Sequence, residues 1–307
     1  MTEGMTGTRL VVVDTDLALG QPGAKVDDGC ALALALASPE LDVALVTTVA
    51  GNVEVPTATS RTVALLERLG RPELPVVPGG FPDGGQAAGA IADWVLANPG
   101  EVTLVALGPL TNVAAAIAAE PRVATAAREV VVMGGRFLGP GPAEFNTRTD
   151  PWAARAVLES GARLRFVGLD VTAHLALDPD EIARLADGTP NAAYLAQQLR
   201  ARLALLTREG VGACPMHDPL AVLALTHPDL LAWRAAHVTV ETVDHDVRGV
   251  TRAAFLDETA AQVGTCAVAT DVDGPAARDA LLDRLGAARA LAGTHRNGSR
   301  RRAPWLT

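Results

Sequence analysis

Short aliphatic runs alternate with longer Ala- and Leu-rich runs along most of this chain. The short runs, rich in β-branched residues, predict strands at Leu10–Asp14, Val43–Val49, Val76–Pro78, Thr103–Leu107, Val130–Met133, Leu164–Leu169 and Val238–Val243. The longer runs predict helices at Gly29–Ala37, Pro56–Leu69, Ala87–Leu96, Thr111–Ala119, Trp152–Glu159, Pro179–Ala186, Asn191–Arg208, Pro219–Leu225 and Ala276–Leu285. Strand then helix, repeated in this order, predicts an α/β fold with an open, mostly parallel sheet and helices on both faces. Leu10–Val13 and Val130–Val132 are continuously apolar, as strands covered on both sides are. No internal repeat or linker interrupts the pattern, so residues 1–307 read as a single domain. The Asn191–Arg208 helix reads as an excursion from the sheet, a lid or side bundle. The tail 294–307, with Arg300-Arg301-Arg302, reads as a disordered, solvated end.

Open parallel sheets bind ligands beyond the carboxyl ends of their strands, and the polar clusters fall there. Asp14-Thr15-Asp16 follows the first strand, Thr47-Thr48-Val49-Ala50-Gly51-Asn52 closes the second, and Gly108-Pro109-Leu110-Thr111-Asn112 follows the fourth. Met133-Gly134-Gly135, leading to Ala143-Glu144-Phe145-Asn146, follows the fifth, and Asp170-Val171-Thr172 the sixth. Asp27-Asp28 opens the first helix after the Leu17–Val26 loop. One of the pair is explained as a helix cap or first-turn acid. Both together, near Asp14 and Asp16, form a carboxylate cluster that repels itself unless a cation holds it ionised, and a hard divalent ion suits oxygen ligands. Asp218-Pro219, like Asp150-Pro151 and Asp178-Pro179, has the form of a helix start. His217 beside Asp218 adds an imidazole suited to proton transfer. His174 reads as a core histidine. Gly134-Gly135 lacks dinucleotide-fingerprint spacing, and the chain carries no phosphate-binding P-loop and no nucleophile elbow.

Composition narrows the function classes. Of the 307 residues, 49% are hydrophobic, enough for a substantial core. Mean hydropathy is +0.22, but no eighteen-residue apolar stretch exists, so no membrane span is expected. Residues 1–9 lack the apolar core of a signal peptide. A net charge of −9 argues against nucleic acid as a partner. Cys30, Cys214 and Cys266 are too scattered for a disulfide framework or a zinc site, and read as buried thiols in a reducing cytoplasm.

Taken together, Asp14-Thr15-Asp16, Asp27-Asp28, Thr48-Val49-Ala50-Gly51-Asn52, Gly108-Pro109-Leu110-Thr111-Asn112, Met133-Gly134-Gly135, Ala143-Glu144-Phe145-Asn146 and His217-Asp218-Pro219 resemble the inosine/uridine-preferring nucleoside hydrolase family. Order and approximate spacing match over about residues 9–290. The resemblance implies Ca²⁺-dependent hydrolysis of a ribonucleoside N-glycosidic bond, giving free base and ribose. By motif, Asp16, Asp28, Asp218 and the Leu107 backbone carbonyl would hold Ca²⁺, and Asp16 would take a proton from a water on the ion. Asp27, Asn52 and Asn146 would bind the ribose 2′- and 3′-hydroxyls, Glu144 would face the 5′-hydroxyl, and Met133 would lie near the sugar. Asp14 would support the cluster, and His217 is the best acid on offer for the departing base. A cytoplasmic homodimer or homotetramer is also implied.

The chain departs from the family in three places. The Leu17–Val26 loop is longer than is usual and is expected to bulge over the cleft mouth. Phe81-Pro82-Asp83-Gly84-Gly85 replaces a histidine-containing stretch after the third strand. The loop from Gly135 to Ala143 lacks the asparagine usual for 5′-hydroxyl recognition, which leaves a 5′-phosphate near Arg136 or Arg148, a deoxy group or a bulky group equally open. Trp94 and Trp233 are candidate aromatic platforms for the base, with a core or interface place the alternative for both. Two rivals remain: a haloacid dehalogenase-type phosphatase with Asp14 as nucleophile and Mg²⁺, and a non-catalytic nucleoside-binding protein.

Overall fold

A computed structural model describes residues 8–21, 23–257 and 266–287; the expectation for the tail 294–307 lies outside them. The strands are β1 (Arg9–Thr15), β2 (Leu41–Thr48), β3 (Val76–Pro78), β4 (Val102–Ala106), β5 (Glu129–Met133), β6 (Leu164–Val167), β7 (Ala176–Leu177), β8 (Cys214–Pro215), β9 (Leu231–Val240), β10 (Thr251–Phe255) and β11 (Cys266–Val272). The helices are α1 (Asp27–Ala37), α2 (Val55–Arg68), α3 (Gly85–Ala97), α4 (Thr111–Ala119), α5 (Arg122–Ala126), α6 (Phe145–Thr149), α7 (Pro151–Glu159), α8 (Leu169–Thr172), α9 (Pro179–Ala186), α10 (Pro190–Arg208), α11 (His217–Thr226) and α12 (Gly274–Gly286).

Nine strands form one sheet in the order β10-β9-β11-β6-β5-β4-β1-β2-β3. The central strands are parallel, and β9 and β10 add an antiparallel edge. Successive strand side chains point to opposite faces, so β1 serves two cores. Val11 and Val13 meet the layer that contains α1, α11 and α12. Leu10 and Val12 meet the layer of α3, α4 and α7. That is why β1 reads as an unbroken apolar run.

Several elements differ from their sequence reading. Leu164–Leu169 ends as a strand at Val167, because the α8 turn starts at Leu169. Val238–Val243 is the end of a longer strand begun at Leu231, and its last three residues lie outside it; Val243 is 86% exposed. Strands β7, β8, β10 and β11 and the short helices α5, α6 and α8 carry little signal in the sequence: several are too short for a period, and β10, at the sheet edge, shows its alternation over only five residues. The Asn191–Arg208 expectation is met by α10, which packs on α9 beside the small β7-β8 sheet. No described helix is long and apolar enough to cross a membrane.

Candidate active site

The carboxyl end of β1 carries the acids outward to where β2 and β4, its neighbours, also end. Asp14, Asp16, Asp27, Asp28 and Asp218 are all buried there. Ligand atoms of Asp27, Asp28 and Asp218 lie within 4.8 Å of one another. Asp27 and Asp28 occupy the first turn of α1 and Asp218 the first turn of α11, so two helix N-termini face the cluster and favour its negative charge. Asp16 adjoins through Asn52. The Asn52 backbone N–H donates to Asp16 Oδ2 at 2.6 Å, and its Nδ2 bridges Asp16 Oδ1 at 3.2 Å and Asp28 Oδ2 at 3.0 Å. Thr15 Oγ1 donates to Asp28 Oδ1 at 3.1 Å.

Burial dominates the electrostatics. It pushes the Asp16, Asp28 and Asp218 carboxyls above the ordinary range, and the neighbouring aspartates push Asp28 and Asp218 further. A hydrogen bond between the Asp16 and Asp28 carboxyls lowers Asp16 and raises Asp28. Buried carboxylates this close match the donor set of a hard cation with oxygen ligands.

Asp14 stands behind the cluster. Its Oδ1 accepts from Thr47 Oγ1 at 2.6 Å and Asn112 Nδ2 at 2.7 Å, and burial raises its carboxyl to about 7. Thr47 and Asn112 lie in motifs already conspicuous in the sequence, but their task of orienting Asp14 is visible only in three dimensions.

Two glycines clasp Asp16. A Cβ on Gly51 would fall 2.0 Å from Asp16 Oδ2, and one on Gly108 would fall 3.2 Å from Asp16 Cγ. Gly51→Ala should therefore displace Asp16, lowering kcat by about tenfold or more at an overpacking cost of ~1–3 kcal/mol. Gly89→Ala is the control, since an added methyl there meets nothing within 4 Å; steady-state kinetics and thermal melts on both variants check this.

On the far side, Asn146 Nδ2 donates to the Leu107 carbonyl at 2.8 Å and the Met133 carbonyl at 3.0 Å. These bonds draw Leu107, Met133 and Asn146 together and leave Asn146 Oδ1 as its acceptor. Glu144 caps α6: Oε1 accepts from Asn146 N–H at 2.9 Å, and Oε2 from Thr147 N–H and Gly135 N–H, both at 3.1 Å. Burial raises the Glu144 carboxyl while these backbone bonds oppose the rise. His217 Nδ1 meets Thr172 Oγ1 at 2.9 Å, and burial pushes its imidazole below its usual value.

The aromatic candidates lie elsewhere. Trp94 is 4% exposed, inside the α3 core. Trp233 stacks under Arg165, 4.1 Å from the guanidinium, at the end of the sheet where β5 and β6 begin. Phe81 is instead the exposed ring near the site, lining a groove with Val55, Pro56, Thr59 and Pro78. The Leu17–Val26 loop does not simply bulge outward. Leu17, Ala18 and Leu19 are buried at its start and Val26 at its end, and the surface is reached between them, at Gly23.

The sequence profile of inosine-uridine preferring nucleoside hydrolases matches residues 11–279. Arabidopsis thaliana uridine nucleosidase 1 is 32% identical over 76% of this chain and 78% of its own length. The pyrimidine-specific ribonucleoside hydrolase RihA of Klebsiella pneumoniae is 33% identical over 84% of this chain and 94% of its own. The solved purine-preferring ribonucleoside hydrolase of Gardnerella vaginalis superposes with a TM-score of 0.80 at 27% identity, covering 91% of this chain and 98% of that one.

Proposed function

The chain belongs to the inosine-uridine preferring nucleoside hydrolase family, and on that premise we propose how its acid site works. It is a ribonucleoside hydrolase, an enzyme that cleaves N-glycosidic bonds. The observation that carries the proposal is the convergence of Asp27, Asp28 and Asp218 within 4.8 Å, with Asp16 joined to Asp28 through Asn52. In this reading Asp16, Asp28, Asp218 and the Leu107 carbonyl hold Ca²⁺. Bound there, the ion supplies positive charge that orients sugar hydroxyls and acidifies water.

The chain's own groups do the rest. Asp16 takes the proton of the attacking water as general base. The C1′ centre gains positive charge as the bond to the base breaks, and the surrounding carboxylates stabilise that charge. Asp27 and Asn52 accept and donate to the 2′- and 3′-hydroxyls, Asn146 Oδ1 accepts on the same sugar, and Met133 lies against it. Glu144 keeps a free lone pair on Oε1 for the 5′-hydroxyl. Asp14, tied to Thr47 and Asn112, supports the cluster. His217 donates a proton to the leaving base from its imidazolium form: its Nδ1–H donates to the Thr172 hydroxyl, and the Nε2 proton passes to the base, leaving a neutral imidazole. The chain acts as one unit over residues 1–307, in the cytoplasm, as a homodimer or homotetramer. Its three cysteines are buried free thiols, consistent with that compartment.

The relatives' names divide between uridine, pyrimidine and purine preference, so a panel decides the base. Inosine, guanosine, uridine and cytidine, read by release of free base, should give turnover on at least one. Release of phosphate from p-nitrophenyl phosphate, with no base from any nucleoside, would overturn the reading in favour of a phosphatase.

A further inference from the structure

Lys25 sits in the Leu17–Val26 loop, two positions before the paired acids. Its Nζ lies over the Phe145 ring, 4.4 Å from the centroid. Phe145 stands between Glu144 and Asn146. Half-buried, Lys25 makes no hydrogen bond and no ion pair among the described residues, so its three donors are free beside a cluster of acids. Its charge reaches across the cleft: it favours ionised Asp16, Asp28, Asp218 and Glu144 and opposes protonation of His217.

The loop that carries Lys25 is fixed in place. Its start is buried through Leu17 and Leu19, and Leu19 packs within 3.0 Å of where a Cβ on Gly29 would lie. Its middle is tied to α10 by Arg202 Nη1, which donates to the Gly23 carbonyl at 2.9 Å. Gly20 and Gly23 turn the backbone at φ +89° and +78°, a region that favours glycine. A cation–π seat on Phe145 then directs the ammonium toward the Glu144–Asn146 side of the cleft.

We propose that Lys25 is a substrate-contacting specificity residue that reads the 5′ end of the sugar, its ammonium donating to an oxygen carried on C5′. This rests on the hydrolase reading above, in which Glu144 faces the 5′ position. The shared chemistry is an oxygen acceptor at C5′, whether a free hydroxyl or a phosphate ester. Lysine suits both, because its compact ammonium donates without demanding a planar partner. Arg148, 5.9 Å from the same ring, adds positive charge on the outer side and would favour the ester.

The test uses the full chain, wild type and the variants Lys25→Met and Lys25→Arg. Each is measured on a ribonucleoside, its 5′-deoxy analogue and its 5′-monophosphate. Lys25→Met should lower kcat/KM on the 5′-hydroxyl or 5′-phosphate substrate ~10-fold or more, mainly through KM, as loss of a hydrogen bond from a charged donor does. It should leave the 5′-deoxy analogue within about twofold, and Lys25→Arg should restore part of the loss. A loss concentrated on the monophosphate assigns the ester; one concentrated on the nucleoside assigns the hydroxyl. If Lys25 only neutralises the acids, Lys25→Met slows all three substrates equally and tightens Ca²⁺ binding in calorimetric titration, which overturns the proposal. No change on any substrate overturns it too. Wild-type protein that releases base from none of the three overturns the hydrolase reading itself and this proposal with it.

Discussion

Asp16→Asn should lower kcat by ~10³-fold or more while leaving the protein folded. Asn replaces the carboxylate with a group of the same shape that takes no proton. A positioned general base contributes typically ~10²–10⁴-fold, and Asp16 is also a proposed ligand of the ion, so the upper part of that range is expected. Folding should survive because the Asp16 contacts are local: Asn52 N–H and Nδ2 on one side, Gly51 and Gly108 on the other. Replacement also removes one buried negative charge, which relieves Asp28 and Asp218. The variant should therefore melt at or above the wild-type temperature as metal-free protein. Undiminished turnover by Asp16→Asn would remove Asp16 from the base role.

Stripped of metal, the protein should lose thermal stability as pH rises from about 4 to 8. The sign follows from which state holds more protons. Asp14 is raised to about 7 in the folded chain, whereas a carboxyl in the unfolded chain sits near ~4. Between these values the folded state binds the extra proton, so stability is fully present below ~4 and falls as pH climbs through the folded value. The gap corresponds to about 4 kcal/mol for Asp14 alone, at ~1.4 kcal/mol per unit. Asp28, raised by burial and by the charges of Asp16 and Asp27, and Asp218, raised by burial and by the charges of Asp28, Asp27 and Asp16, add to the same trend. His217 works in the opposite direction but lower: burial depresses its imidazole, so its contribution is lost as pH falls below about 6.5. Ca²⁺ should reverse the carboxylate trend because it binds the ionised forms, adding about 2.7 kcal/mol at a hundredfold excess over its Kd. Calorimetric melts at pH 5, 6.5 and 8, in EDTA and in Ca²⁺, check this. Stability that rises with pH in EDTA would contradict the crowded-carboxylate account.

How much of this was legible in the chain differs by element. The two-sided burial of β1 was visible because an unbroken run Leu10–Val13 can serve two faces only as a central strand. The acids at its end were visible because motif and strand end coincide. Edge strand β10 was not, since its alternation of buried and exposed residues is shared with loops over so few positions. The two-stranded pair of β7 and β8 is shorter than any period. Among the site residues, Asp28 stood out as half of an acid pair, whereas Asp218 looked like an ordinary helix start and was singled out only by its motif; their approach across α1 and α11 is long-range and has no local signal. The grouping also differs in detail: the tightest three carboxylates include Asp27, expected on the ribose, while Asp16 joins them through Asn52. Lys25 carried no motif at all. Its place depends on Arg202 holding Gly23, a contact between residues far apart in the chain. The sequence left the tryptophans open between base platform and core because aromatic content alone does not distinguish a core ring such as Trp94 from an exposed one such as Phe81.

The central claim is that this buried acid cluster hydrolyses ribonucleosides with a bound divalent ion. The most direct test is free-base release from the nucleoside panel by EDTA-stripped protein, before and after Ca²⁺ is returned. The account predicts that stripping abolishes release and that Ca²⁺ restores it on the same protein. Release that continues undiminished after stripping, or no release with Ca²⁺ present, would contradict it.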